Sequence, residues 1–135
     1  MSRSSGPQDL GSVESLRLLR SAPLGRLVYT VDALPAVQPA LFSLQDDQLI
    51  IFTSEGDGLA DIADDTVVAF QAEDIDVTAC RGWSVTVIGH GATVSDPADT
   101  AELLACLSAP CHLAEPAHVF RLSIERVDGR RVGAP

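Results

Sequence analysis

The strongest constraint on this chain's fold is a run of β-forming segments joined by connections too short for anything but antiparallel pairing. Gly25-Arg26-Leu27-Val28-Tyr29-Thr30-Val31 is rich in β-formers and reads as a strand. Asp32-Ala33-Leu34-Pro35 turns the chain, and Ala36 to Leu44 makes a second strand. Gln45-Asp46-Asp47-Gln48 then connects to a third, Leu49 to Thr53. Parallel neighbours need a crossover of about a dozen residues or more, so these three strands form an antiparallel meander. Pro39 has no N–H to give to a ladder and must lie at an edge or a bulge.

The rest of the chain continues the pattern. Thr66 to Ala72 is strand-like, and Glu73-Asp74-Ile75-Asp76 begins an acidic loop. From Trp83 to His90 the residues alternate, which turns Val85 and Val87 to the core and Ser84, Thr86 and His90 away from it. Val119 to Ile124 is a last strand leading to a basic tail, Arg126 to Val132. Ser12 is placed to cap a helix through about Arg20, with Val13, Leu16 and Leu19 on one face. Leu59 to Ala63 can make one or two helical turns. Asp96 as N-cap and Pro97 at the first helical position start another helix, with Leu103, Leu104 and Leu107 as its buried stripe. Residues 1–11 are small and polar and read as a flexible terminus, leaving 12–135 as a single domain. The fold predicted is mainly β (α+β), a small antiparallel barrel with short flanking helices. No G-x-G-x-x-G follows a first strand, so a doubly wound dinucleotide fold is excluded.

Charge narrows the partners. Nineteen acidic against nine basic side chains give a net charge of −10, a field that repels nucleic acid and anionic membrane. No apolar run is long enough to span a bilayer and no secretory signal is visible, so a cytoplasmic location is expected. Cys80, Cys106 and Cys111 form no C-x-x-C pair and no zinc spacing, which predicts free thiols and no structural metal. The acidic run at Glu73–Asp76 lacks the glycine and terminal Glu of a calcium loop. His90, His112 and His118 have no partner carboxylate at a diagnostic spacing, and surface or packing roles are expected for them.

One stretch suggests ligand chemistry. Leu49 to Leu59 reads as a buried strand running into a Gly-rich turn that opens a short helix. Backbone N–H groups at such a junction suit a phosphate, and the hydroxyls of Thr53 and Ser54 could add to the amides of Gly56 to Leu59. Glu55 and Asp57 flank this seat, no Lys or Arg lies in it, and Asp57 is placed to cap the helix and occupy the same donors.

In element order from Ser12 to Val132 the chain resembles the pyridoxamine 5′-phosphate oxidase-like family of FMN-binding split barrels, in its small actinobacterial-type form. The resemblance rests on Leu24-Gly25-Arg26-Leu27, the strand-turn from Ile50 to Leu59, and Val67-Val68-Ala69-Phe70 with its acidic continuation. Arg81 to Gly89 and Asp128-Gly129-Arg130-Arg131-Val132 complete it. It implies a homodimer with two flavin sites at the interface, each lined by both protomers. It implies cofactor contacts from Leu41, Phe52, Thr53, Ser54, Gly56, Gly58, Leu59, Trp83 and Ser84. Relatives commonly carry a basic residue at the position of Phe52, another at Gly58 and an amide at Leu41, and this chain has none of the three. An FMN phosphate carries close to two negative charges, and charge-assisted bonds are the strong ones, so the phosphate site is weakened.

Two readings follow. The first is a flavin-dependent oxidoreductase using FMN or a deazaflavin. The second is a cofactor-free dimeric binding or regulatory module. A site for a neutral or haem-like ligand is a third, since Leu41 and Phe52 make the pocket more apolar. Trp83 could wall the flavin pocket or anchor the dimer interface. Arg126, Arg130 and Arg131 are expected to meet the acidic surface of the other protomer, or else to reach the cofactor site and partly replace the lost cations. No residue is assigned as a catalytic acid or base.

Overall fold

A computed structural model of the chain describes residues 9–22, 24–54, 65–105 and 116–133. Its elements run β1 (Asp9–Leu10), α1 (Ser12–Ser21), β2 (Gly25–Val31), β3 (Leu34–Gln45), β4 (Gln48–Ser54), β5 (Thr66–Asp76), β6 (Arg81–Val94), α2 (Pro97–Ala105), β7 (Pro116–Ser123) and β8 (Arg126–Val132). All strand pairs are antiparallel, in the order β1-β8-β6-β5-β2-β3-β4-β7. A further pairing of β6 with β7 closes β6-β5-β2-β3-β4-β7 into a barrel, leaving β8 and β1 as an extension. This is the predicted split-barrel architecture.

The meander forms as its short connections require. Asp32 and Ala33 are the two turn residues between β2 and β3, with φ of 52° and 65°. Two successive left-handed residues match the twist of the strands they join, although an alanine there is strained. Pro35 and Pro39 sit in the part of β3 that pairs with β2, before Leu41–Gln45 takes up β4 on the other side. Among the described residues that part of β3 has one neighbour, so neither proline removes a ladder hydrogen bond.

Alternation fills the barrel. Leu27 and Tyr29 from β2, Leu49 and Ile51 from β4, Val68, Phe70 and Ala72 from β5, Val85 and Val87 from β6, and Phe120 and Leu122 from β7 make the core. Phe42 and Phe70 meet with ring centroids 4.8 Å apart and planes tilted by 58°.

Four expectations change. The acidic stretch Glu73–Asp76 is strand, pairing with Arg81–Ser84 before a turn in which Asp76 Oδ1 accepts from the N–H groups of Thr78 and Ala79. The basic tail is also strand: β8 pairs with β6 from Gly82↔Val132 to Ile88↔Arg126. Asp9 and Leu10, placed by sequence in the flexible terminus, pair with Arg130 and Gly129. In α1 the cap is Gly11, Val13 is 85% exposed, and Ser15 and Leu19 are the buried pair. Contact with β8 sets that face. A Cβ on Gly129 would stand 2.0 Å from Ser15 Oγ, so only a small residue fits between helix and strand. The N-cap role of Asp96 does form: its Oδ1 accepts from Ala98 N–H at 2.8 Å.

Candidate functional site

Strand alternation decides which of the expected site residues share a surface. Trp83, in phase with Val85 and Val87, lies inside the barrel in the main core and is 8% exposed. Ser84 faces the opposite way. Leu41 and Phe52, out of phase with Phe42 and Ile51, also stand outside, directly opposite each other across β3 and β4. The barrel's outer wall therefore holds Leu41, Phe52 and Ser84 but not the tryptophan ring.

Around Ser84 this wall is polar. Arg26, Gln71 and Thr86 are in register across β2, β5 and β6, and Glu73 is opposite Ser84. Arg26 donates to Gln71 Oε1 at 3.0 Å, and the Gln71 amide donates to Ser84 Oγ at 3.1 Å and to Glu73 Oε1 at 2.9 Å. Gln71 thus fixes both partners while the Ser84 hydroxyl keeps its own proton to donate. A cleft of about 320 Å³ opens beside Arg26, lined by Leu24, Gly25, Glu73, Asp74 and Ile75. It offers one guanidinium and flanking carboxylates. Arg26 and Gln71 were missed as site residues by sequence. Alternation along β2 turns Arg26 outward, but its partners come from two other strands.

Around Phe52 the wall is apolar. Leu41, Ile50, Phe52 and Val119 form a second buried cluster, with Val94 and Leu103 of α2 packed on it. Phe52 has no exposed surface in the protomer. Phe52, one of the expected cofactor contacts, is here the centre of a small core. Thr53 and Ser54 end β4, with a register shift between them against β7. Their side chains, and the whole of Gly56, Gly58 and Leu59, lie outside the described residues.

A third cluster forms where β6 changes partner. β6 pairs with β8 as far as Ile88 and with β7 from Gly91, so the backbone between them leaves one ladder before joining the other. Gly89 allows this: a Cβ there would stand 1.6 Å from the Ser123 carbonyl oxygen. The His90 N–H donates to Glu125 Oε2 at 3.1 Å and to Ser123 Oγ at 3.3 Å. Ser123 Oγ lies 2.7 Å from the same Glu125 oxygen, and His90 Nδ1 lies 2.8 Å from it. That carboxylate hydrogen bond, then its charge, raises the His90 pKa above its ordinary 6.5. Hydrogen bonds from His90 and Ser123 hold Glu125 below its ordinary 4.5. No carboxylate lies at a diagnostic spacing from His90 in the sequence, and the fold brings one from 35 residues away to this surface histidine.

Arg131 reaches Glu14 of α1 within the same chain, at 3.9 Å. Glu14 is held mainly by Arg17, whose two nitrogens lie 2.9 and 2.6 Å from its oxygens. These contacts pull the Glu14 carboxyl below its usual range, the Arg17 hydrogen bond foremost.

The family profile described as pyridoxamine 5′-phosphate oxidase matches residues 12–131, nearly the whole of this barrel. The chain belongs to that family. As a member it is 33% identical over 144 residues to an uncharacterized protein of Mycobacterium tuberculosis, the match covering 98% of this chain and 94% of the relative. The solved FAD binding protein from Mycobacterium smegmatis is 35% identical and superposes with a TM-score of 0.72, over 94% of this chain and 98% of the other. A FAD-binding protein from Mesorhizobium loti, 23% identical, shares the fold with a TM-score of 0.75 over 93% and 98% of the two chains. Among the described residues no helix is long and apolar enough to cross a membrane.

Proposed function

We propose that this family member is a cytoplasmic flavoprotein that binds FAD in preference to FMN on the outer wall of the barrel. The observation that carries the reading is the hydrogen-bonded chain Arg26–Gln71–Ser84, which presents a cation and a hydroxyl donor on a surface otherwise rich in acid. A relative at 35% identity that binds FAD supports the choice of flavin.

The charges favour the dinucleotide. FMN ends in a monoester close to doubly charged, which calls for a concentrated cationic grip. In FAD the two phosphates of the bridge carry one charge each, and the adenosine adds apolar and stacking surface. With Phe52 in place of a cation, the loss weighs more against FMN than against FAD.

The cleft beside Arg26, about 320 Å³, is at the small end for a ligand pocket and holds only part of a dinucleotide. A second protomer supplies the remaining walls in this proposal. Val37 and Val67, 59% and 57% exposed on β3 and β5, offer the apolar surface such a homodimer would cover. When bound, the flavin would supply hydride or electron transfer, making the protein an oxidoreductase. Arg26 would offset phosphate charge, Ser84 would donate to a ring or ribose oxygen, and Gln71 would hold both in place.

The test is the visible absorption spectrum of the purified protein, followed by titration with FAD and with FMN. Flavin bands, or saturable binding with FAD tighter than FMN, are expected. No binding of either into the high micromolar range would overturn the reading and leave a cofactor-free binding module on the same fold.

A further inference from the structure

At the strand-switch corner, on the β6–β7 side of the barrel, a second cleft of about 330 Å³ is lined by Gln48, Asp65, His90, Gly91, Ala92, Arg121 and Ser123. The structural task of the corner is met without most of these side chains. The His90 backbone N–H is satisfied by Ser123 and Glu125, and Glu125 N–H by the Ile88 carbonyl. The Arg121 guanidinium makes no ion pair among the described residues, and His90 holds Glu125 through Nδ1 only, leaving Nε2 unused among them. Arg121, Gln48 and His90 therefore bring a guanidinium, an amide and an imidazole N–H to one cleft.

We propose that this corner cleft is a second ligand site, for a phosphate group in its monobasic form. Arg121 and His90 Nε2–H would meet the phosphate oxygens as charge-assisted donors, with the Gln48 amide beside them. Asp65 opposes a bare anion, and its carboxylate can only accept. A monobasic phosphate carries a proton that it can donate to Asp65, whereas a carboxylate ion carries none. The Asp65 side chain thus selects the protonated phosphate over acetate-like anions.

The groups facing His90 are Glu125 from the β7–β8 connection, Asp65 ahead of β5, and Ser123 and Arg121 from β7. Glu125 and, more weakly, Asp65 favour the protonated imidazole. A phosphate monoester dianion takes up one proton near pH 6, so ligand and imidazole gain the required protons over the same range.

Inorganic phosphate is the probe, followed through the ring resonances of His90, which are assigned with His90→Gln. At about pH 6 a saturable shift is expected, with affinity about tenfold or more weaker near pH 8.5. Arg121→Gln, a surface change, should weaken it by about tenfold or more at unchanged melting temperature. Asp65→Asn should erase the preference for phosphate over acetate. No saturable shift would overturn the proposal, as would binding unchanged in Arg121→Gln or a native response to acetate or chloride equal to that for phosphate.

Discussion

Leu41, Ile50, Phe52 and Val119 stand outward from β3, β4 and β7, while Arg26, Gln71, Glu73 and Ser84 stand outward from β2, β5 and β6. The first group is covered by α2 and is buried, and the second is open and hydrogen-bonded. Both lie on one barrel wall, and the same period-2 alternation aims both outward. Burial of the first group has turned the expected phosphate-gripping position into packing. A cation available for ligand recognition in the polar half of this wall stands on β2, at Arg26. The apolar half should therefore govern stability and the polar half binding.

The largest effect expected is at the apolar half. Phe52→Ala removes a fully buried ring and should cost about 3–5 kcal/mol in a urea unfolding curve. A cost below about 1 kcal/mol would mean that Phe52 is not packed as described, and the contrast between the halves would collapse. A smaller effect is expected at the polar half. Ser84→Ala should leave the unfolding midpoint within error while weakening FAD binding by about 0.5–1.5 kcal/mol, a several-fold rise in Kd by fluorescence quenching. A change in stability without one in binding would reverse the assignment.

The smallest effect lies outside both halves, at the strand-switch corner, and serves as a control on them. His90 has a raised pKa in the folded chain, so its contribution is complete below 6.5 and is lost as pH rises through the raised value. Glu125 has a lowered one, so its contribution is complete above 4.5 and is lost as pH falls through the lowered value. The stability difference between the native chain and Glu125→Gln should therefore be greatest between pH 4.5 and 6.5 and shrink on either side. A difference flat across pH would mean the ion pair does not form. Both groups are exposed, so the effect is modest.

Much of the fold was legible because period-2 alternation and short connections are local signals. The β2 strand has the predicted bounds, and Val85 and Val87 face the core as alternation required. The misses share a cause. Glu73–Asp76 and Arg126–Val132 carry charge in place of apolar alternation, so nothing local marks them as strand. They are ordered by pairing with the two edges of β6. Charged strands of this kind are common where a sheet meets solvent. The buried face of α1 could not be read because Gly129, far along the chain, dictates that Ser15 faces in.

The candidate site was half legible. Leu41, Phe52 and Ser84 share the outer wall, as a common surface for these positions requires, while Trp83 is turned into the core. Arg26 and Gln71 escaped notice because their meaning comes from register across three strands. The His90–Glu125 pair escaped for the same reason, since it exists only where β6 leaves β8 for β7.

The most direct test of the division between the two halves is FAD titration of the native protein and of Arg26→Gln, with thermal unfolding measured on both. Losing a charge-assisted contact costs about 1.5–3 kcal/mol, so Kd for FAD should rise by about tenfold or more, while the melting temperature stays unchanged. Equal FAD affinity in the two proteins would contradict the placement of flavin recognition on the polar half of the barrel wall.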